Sequence, residues 1–187
     1  MNFSLPVPSP APPASARRPP RRSVAGRPAA RVLAAVCCLL PLAACGSDRQ
    51  QVAAPRPAGA AARDCLALHR VLPKSLHGLT RRTTSPSSDF TAAWGSPAIV
   101  LRCGVPRPAL LTPGSAGYDP NAEAADLGGV NWLPQTTHQV DVLMTTTGRQ
   151  AYVEVTVPAQ YTGKADSTDS LTTLGTLVRK TVPAELD

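Results

Sequence analysis

The spacing of apolar residues predicts one helix at each end of a single domain. Residues 64–72 show the first helical pattern, which Pro73 ends. Its apolar stripe consists of Cys65, Leu68 and Leu72. Residues 167–182 show the second, with a stripe of Leu171, Leu174, Leu177 or Val178, and Val182. Gly175 and several threonines lower the helix propensity of this second segment, so it needs tertiary packing to persist.

Short runs of β-branched and apolar residues between the two helices predict strands. The candidate strands are 78–85, 98–103, 130–133 and the two arms of a hairpin around Thr147-Gly148. Residues 90–94 are ambiguous. Strand 98–103 is the most apolar and would bring Cys103 alongside the first helix. Together these patterns predict an α+β fold, with an antiparallel sheet of four or five short strands and both helices packed on one face.

The hairpin pattern also predicts a register. A two-residue turn at Thr147-Gly148 makes one face of the hairpin apolar. The predicted pairs are Met144 with Ala151, Val142 with Val153, and Val140 with Val155. This register has one cost, because it sets Asp141 opposite Glu154 and like charges there are unfavourable.

Residues 1–44 have the order of a bacterial lipoprotein signal peptide. Six arginines precede the apolar run 32–42, which is too short to span a bilayer, and Leu42-Ala43-Ala44-Cys45 then forms a lipobox. We expect cleavage before Cys45 and a diacylglycerol on its sulfur, which would hold the protein on the outer face of the cell membrane. Val24 is a candidate for the true start, since a signal beginning there has ordinary proportions. We expect the general secretion route, because the residues after Arg21-Arg22 match a twin-arginine signal poorly.

The next boundary follows from composition. Residues 45–63 contain prolines, Gly59 and many alanines but no periodic apolar face, so they are predicted to be the lipidated cysteine and a flexible tether. Fully extended, a tether of this length reaches about 55 Å. Residues 64–187 then form one domain with a modest core.

The predicted cleavage changes the meaning of the net charge. The whole chain has 19 basic and 12 acidic residues and a pI near 9.6. All six arginines of residues 1–44 leave with the signal and no acidic residue does, so 13 basic and 12 acidic residues remain, a net charge of about +1. We therefore expect no nucleic-acid binding, which depends on phosphate neutralisation.

Cysteine use agrees with export. Beyond Cys45 the mature chain keeps only Cys65 and Cys103, which on the oxidising side of a membrane most simply form one disulfide. The alternative is a thiol nucleophile or half of a metal site, but no CxxC and no second ligand pair accompanies either cysteine.

Four sequence blocks resemble a known family. They are Ala93-Trp94-Gly95, Leu101-Arg102-Cys103-Gly104-Val105, Gly129-Val130-Asn131-Trp132, and the hairpin segment from Thr145 to Arg149 with Tyr152-Val153-Glu154-Val155. They look like the actinobacterial DUF3515 family, which consists of exported or lipid-anchored proteins with no assigned function. The resemblance covers about residues 60–185. It implies location and type of host, and it supplies no catalytic residues.

Four side chains are the candidates for ligand or partner contacts. Trp94 and Trp132 could anchor a partner or fill a core with few other aromatic residues. Arg102 and Arg149 could grip a phosphate or carboxylate, or could hold local carbonyls or a carboxylate such as Glu154. No nucleophile elbow, zinc motif, phosphate loop or dinucleotide fingerprint is present, so we expect no cofactor and no metal.

Three functions follow from these observations, in order of preference. The first is a non-catalytic, lipid-anchored envelope protein that binds another envelope component, for which a protein is the preferred class. The second is a small-ligand binder that uses the long 106–129 loop and the Arg102/Trp132 region. The third is a cell-wall hydrolase with an unfamiliar site that uses His77, Asp126 or His138.

Overall fold

Two α-helices and nine β-strands occur in the part of the chain that the computed structural model describes, which is residues 49–136, 141–163 and 165–185. The helices are α1 (Gly59–Val71) and α2 (Ala165–Thr181). The strands are β1 (Arg49–Gln51), β2 (Ser75–Leu76), β3 (Leu79–Ser85), β4 (Thr91–Trp94), β5 (Ile99–Val105), β6 (Ala125–Asp126), β7 (Asn131–Thr136), β8 (Val142–Thr146) and β9 (Tyr152–Val157). The α+β class is confirmed.

The strands form one sheet that is larger than predicted. Its order is β1-β3-β4-β5-β9-β8-β7-β6, and β2 pairs with β3 outside this path. Strand β1 runs parallel to β3, while the other described pairings are antiparallel. The sheet has more strands than the four or five expected, for two reasons. Strands β1, β2 and β6 have only two or three residues each, too few to show an alternating pattern, and β4 lies within residues 90–94, which were ambiguous.

The side chains of strand β5 alternate between the two faces of the sheet. Its residues alternate between buried and half-buried along the whole strand. Ile99, Leu101 and Cys103 share one core cluster with residues of both helices, so this face carries the helices. The other face, which we call the open face, carries the even-numbered residues of β5 and its neighbour β9. These are Val100, Arg102, Glu154 and Thr156.

A disulfide joins Cys65 of α1 to Cys103 of β5, as the cysteine count predicted. Both cysteines are 1% exposed, so the bond belongs to the core. It spans 38 residues, and in the chain-entropy model a loop of that size stabilises the fold by roughly 3–4 kcal/mol. The bond therefore fixes α1 over the centre of the sheet.

The predicted hairpin register was wrong by four residues. Met144 pairs with Val155 rather than Ala151, and Val142 pairs with Val157. The apolar face is preserved, because a shift of four is even and side chains alternate with a period of two. The predicted clash of like charges does not occur, since Thr145 lies opposite Glu154.

Most of the predicted tether is folded. Strand β1 pairs with β3, Val52 is 6% exposed, and α1 begins at Gly59 rather than at Asp64. The alanines at 60–62 are strong helix formers, so the helix extends over them without an apolar stripe. The segment 49–63 therefore belongs to the domain. The predicted signal peptide and Cys45 lie outside the described residues.

The C-terminal end of the 106–129 loop packs closely on α2. This loop contains a short 3₁₀ helix (Ala109–Leu111) and strand β6. A Cβ at Gly175 would overlap the carbonyl oxygen of Leu127, and one at Gly128 would overlap that of Thr172. Gly175, which lowers the propensity of α2, is thus the residue that lets the loop approach the helix.

We predict that Gly175→Ala lowers the free energy of unfolding by about 1–3 kcal/mol, because the added methyl group overpacks the contact with Leu127. In an exposed helix the same change would stabilise by about 1 kcal/mol. Thr168→Ala, at an exposed position of α2, is the matched control and should be neutral or slightly stabilising. Urea unfolding followed by circular dichroism measures both, and a stabilising Gly175→Ala would contradict the close contact.

Candidate functional site

The candidate site is a groove of about 550 Å³ on the open face. Its floor is formed by β5 and β9, so we call it the β5–β9 groove. The floor residues are Val100, Arg102, Glu154 and Thr156. One wall is the chain from Gln50 to Ala53, and the other is formed by Pro97, Ala98, Asp141 and the turn from Pro158 to Gln160.

An ion pair lies on the floor of this groove. Arg102 and Glu154 are direct cross-strand neighbours, and Nη1 of Arg102 donates to Oε1 of Glu154 at 2.7 Å. The Glu154 side chain is 15% exposed and that of Arg102 is 31% exposed, so the pair is partly shielded from water. A carboxylate in that position needs a cation, because an unpaired charge there would carry a large desolvation cost.

The same guanidinium holds the N-terminal wall in place. Nε of Arg102 donates to the carbonyl oxygen of Ala53 at 3.0 Å. Two residues along β5, a Cβ at Gly104 would overlap the ring of Pro57, and Gly104 has a φ of +84°. The segment from Arg49 to Pro57 is therefore fixed at β1, at Ala53 and at Pro57. Arg102 thus makes both contacts of the structural alternative considered from the sequence, one to a local carbonyl and one to Glu154.

The groove combines apolar contact area with amide and hydroxyl groups. Its polar side chains include Gln50, Gln51, Gln160 and Thr156. A glutamine amide both donates and accepts hydrogen bonds, as a peptide group does. Asp141 contributes a second carboxylate, which accepts a hydrogen bond from the Ala159 amide at 2.9 Å. Such a lining can bind an uncharged polar chain with small apolar side chains.

Both tryptophans belong to the core. Trp94 and Trp132 are each 0% exposed. The indole N–H of Trp94 donates to the Pro73 carbonyl at 3.0 Å, and that of Trp132 donates to the Leu127 carbonyl at 3.1 Å. They are therefore closed to a partner, and each joins a strand of the sheet to a loop.

A family model described as a protein of unknown function, DUF3515, matches residues 29–186. The chain belongs to the DUF3515 family. A search of the curated proteins and a search of the solved structures found no match. The tryptophan-containing blocks of the resemblance are thus parts of the core of this DUF3515 domain.

Arg149 stabilises the end of the DUF3515 domain. Its Nη1 donates to the Val182 carbonyl at 3.2 Å and its Nη2 to the Gly129 carbonyl at 3.1 Å. Arg149 also forms a β-bridge with Ala184. It thereby ties the loop between β8 and β9 to the C-terminal segment and to the start of β7, which is the structural role considered from the sequence.

The structure does not bring the other predicted site residues together. Arg102 on β5 and Trp132 on β7 are separated by β9 and β8, so they do not form one ligand site. His77, beside β3, contacts the Thr173 hydroxyl of α2, while Asp126 lies in β6 at the other end of the strand order. His138 lies outside the described residues.

A second, smaller cavity of about 390 Å³ was not foreseen from the sequence. On its rim Nδ1 of His69 lies 3.2 Å from Oδ1 of Asp89, which joins α1 to the turn after β3. Arg81 also lines this cavity, but its guanidinium lies over the Trp94 ring at 5.8 Å, and burial lowers its pKa. A contact between residues twenty positions apart on a helix and a turn leaves no periodic signal in the sequence.

We predict a coupling free energy of about 1–3 kcal/mol between Arg102 and Glu154 in a double-mutant cycle with Arg102→Met and Glu154→Gln. The partial burial of the pair is the reason, because water screens it weakly. The matched control is the cycle His69→Gln with Asp89→Asn, where Asp89 is 70% exposed and coupling should stay below about 1 kcal/mol. Equal coupling in the two cycles, from urea unfolding at pH 7, would contradict this account of the groove floor.

Proposed function

We propose that this DUF3515 protein is a lipid-anchored, non-catalytic binding protein of the cell envelope, and that it binds a polypeptide segment of another envelope protein in the β5–β9 groove. The observation that carries the proposal is the groove itself, a site of about 550 Å³ walled by the chain that follows the predicted lipidation site. Its volume lies in the usual range for binding sites. The binding surface and the anchor are thus close in sequence.

The anchor rests on the lipobox pattern, in which Leu42-Ala43-Ala44 precedes Cys45 after an arginine-rich segment and an apolar run. Neither helix of the described chain has the length and apolar character needed to cross a bilayer. A lipid on Cys45 would supply the attachment.

A polypeptide ligand is favoured by the chemistry of the lining. Peptide groups that leave water need hydrogen-bond partners, and the glutamine amides and the Thr156 hydroxyl supply them. Ala53, Pro97 and Val100, which are not buried, offer contact to small apolar side chains. No aromatic ring lines the groove among the described residues, and rings are what a saccharide would stack on.

A small polar metabolite is the second candidate, favoured by the groove's volume alone. It predicts that the purified domain shows a thermal shift with one envelope metabolite and captures no protein. A polypeptide ligand predicts that the domain captures a protein and shows no thermal shift with an envelope metabolite.

We predict that Cys45→Ser moves the protein from the membrane fraction to the culture medium or to the soluble envelope fraction, because the sulfur that would carry the lipid is lost. Fractionation followed by mass spectrometry of the N-terminal peptide measures this. Membrane retention of an acylated Cys45→Ser protein would refute the lipobox assignment.

We also predict that Val100→Arg abolishes partner capture, since a long charged side chain would fill the groove floor. Capture is measured in intact cells with a photo-crosslinking residue at Gln160 on the groove wall. Val71→Arg is the control, because Val71 is an exposed valine of α1 outside the groove. If both variants capture the same partner as the unmodified protein, the groove is not the binding site.

A further inference from the structure

The folded N-terminal segment sharply limits how far the domain can lie from Cys45. Strand β1 begins at Arg49, four residues after Cys45, and Gln50 already lines the β5–β9 groove. Four fully extended residues span at most about 14 Å, and five span about 18 Å. The eighteen-residue tether expected from composition would have allowed more than three times that distance.

We infer that the domain is held directly at the membrane surface by its β1 edge, so that the groove meets a partner segment that emerges close to the bilayer. This inference rests on the proposed lipid anchor at Cys45. The fold fixes the geometry, because β1 is hydrogen-bonded along β3 and the following chain is bound at Ala53. The distance between Cys45 and the folded domain is therefore set by at most the three residues 46–48.

The strand order defines which edge lies near the membrane. Strand β1 is at one end and β6 at the other, seven strand spacings apart, or roughly 34 Å for a flat sheet. The two edge segments differ in charge. Residues 49–57 contain two exposed arginines and no acidic residue, whereas residues 119–126 contain three exposed acidic residues and no basic one. An anionic lipid surface would attract the first segment and repel the second.

The short connection between Cys45 and the folded domain limits which proteins the groove can meet. A domain at the bilayer surface meets the extracytoplasmic segments of membrane-embedded proteins. A long tether would instead let it reach soluble proteins farther from the membrane. We therefore assign the occupant of the groove to an extracytoplasmic segment of a membrane-embedded protein. This segment meets the groove wall at Gln50, which lies within about 18 Å of Cys45.

Energy transfer to the bilayer tests the inference. The lipidated protein, purified from membranes, carries a fluorophore on an azide-bearing amino acid at Thr83 or Glu123, both of which are exposed. Thr83 pairs with Arg49 at the β1 edge, and Glu123 lies just before β6. The vesicles consist of phosphatidylcholine and phosphatidylglycerol and contain an acceptor lipid. We expect energy transfer from the fluorophore at Thr83 to be several-fold stronger than from the fluorophore at Glu123. Equal transfer from the two positions would overturn the inference.

A linker insertion provides the matched control. Twenty Gly and Ser residues between Asp48 and Arg49 add a flexible chain with an end-to-end distance of about 25 Å. Energy transfer from the fluorophore at Thr83 to the acceptor lipid should then fall toward the value from Glu123. The urea unfolding midpoint should stay unchanged. If the insertion leaves transfer from Thr83 unchanged, the short connection does not set the distance.

Failure of the anchor itself is distinguishable. A protein whose N-terminal peptide lacks diacylglycerol and does not float with vesicles contradicts the proposed lipid anchor, whatever the energy transfer. In that case a chain starting at Cys45 is coupled through this thiol to a maleimide lipid, since Cys65 and Cys103 are joined to each other. Stronger transfer from Thr83 than from Glu123 would still support the short reach, and equal transfer would overturn it.

Discussion

The guanidinium of Arg102 is the contact on which the open face of this domain depends. It neutralises Glu154 on the adjacent strand and holds the carbonyl oxygen of Ala53 in the N-terminal segment. One side chain thus joins β5, β9 and the chain that leads to Cys45. Without it, the fold would leave a partly buried carboxylate unpaired and one wall of the groove without its side-chain contact.

The alternation of β5 explains how one strand serves two different faces. Its odd-numbered residues enter the core below the helices, where Cys103 is bonded to α1. Val100 and Arg102, on the opposite face, form part of the floor of the groove. Pro57 packs against Gly104 at the end of the strand, just before the chain enters α1. The N-terminal segment therefore connects the open face to the helical face, and the groove is a direct consequence of that path.

Periodicity predicted the parts of the fold that have enough residues to show it. Both helices, strand β5 and the disulfide were recognisable, because each depends on several apolar residues or on a simple count of cysteines. Strand β1 was missed because three polar residues carry no pattern, and its pairing with β3 is a tertiary contact. Alanines 60–62 were assigned to the tether for lack of an apolar stripe, although their propensity favours a helix.

The hairpin register failed for a different reason. The residue types favoured a two-residue turn at Thr147-Gly148. The residues that follow this turn pair with the C-terminal segment instead of with β8. Arg149 forms a bridge with Ala184, and the Gln150 amide donates to the Pro183 carbonyl at 3.1 Å. These partners are more than thirty residues away, so no local rule could identify them. The groove was unpredictable for the same reason, since its wall comes from residues 50–53.

Amide hydrogen exchange of residues 49–57 in the mature protein tests the central claim most directly, which is that this segment belongs to the folded domain. The Val52 amide donates to the Ser85 carbonyl at 3.0 Å, and β1 forms a ladder with β3. We expect peptides that cover this segment to exchange far more slowly than an unstructured chain, and to lose much of that protection in Arg102→Met. Exchange at the rate of an unstructured chain would contradict the account, because both the groove wall and the short connection to Cys45 would then be absent.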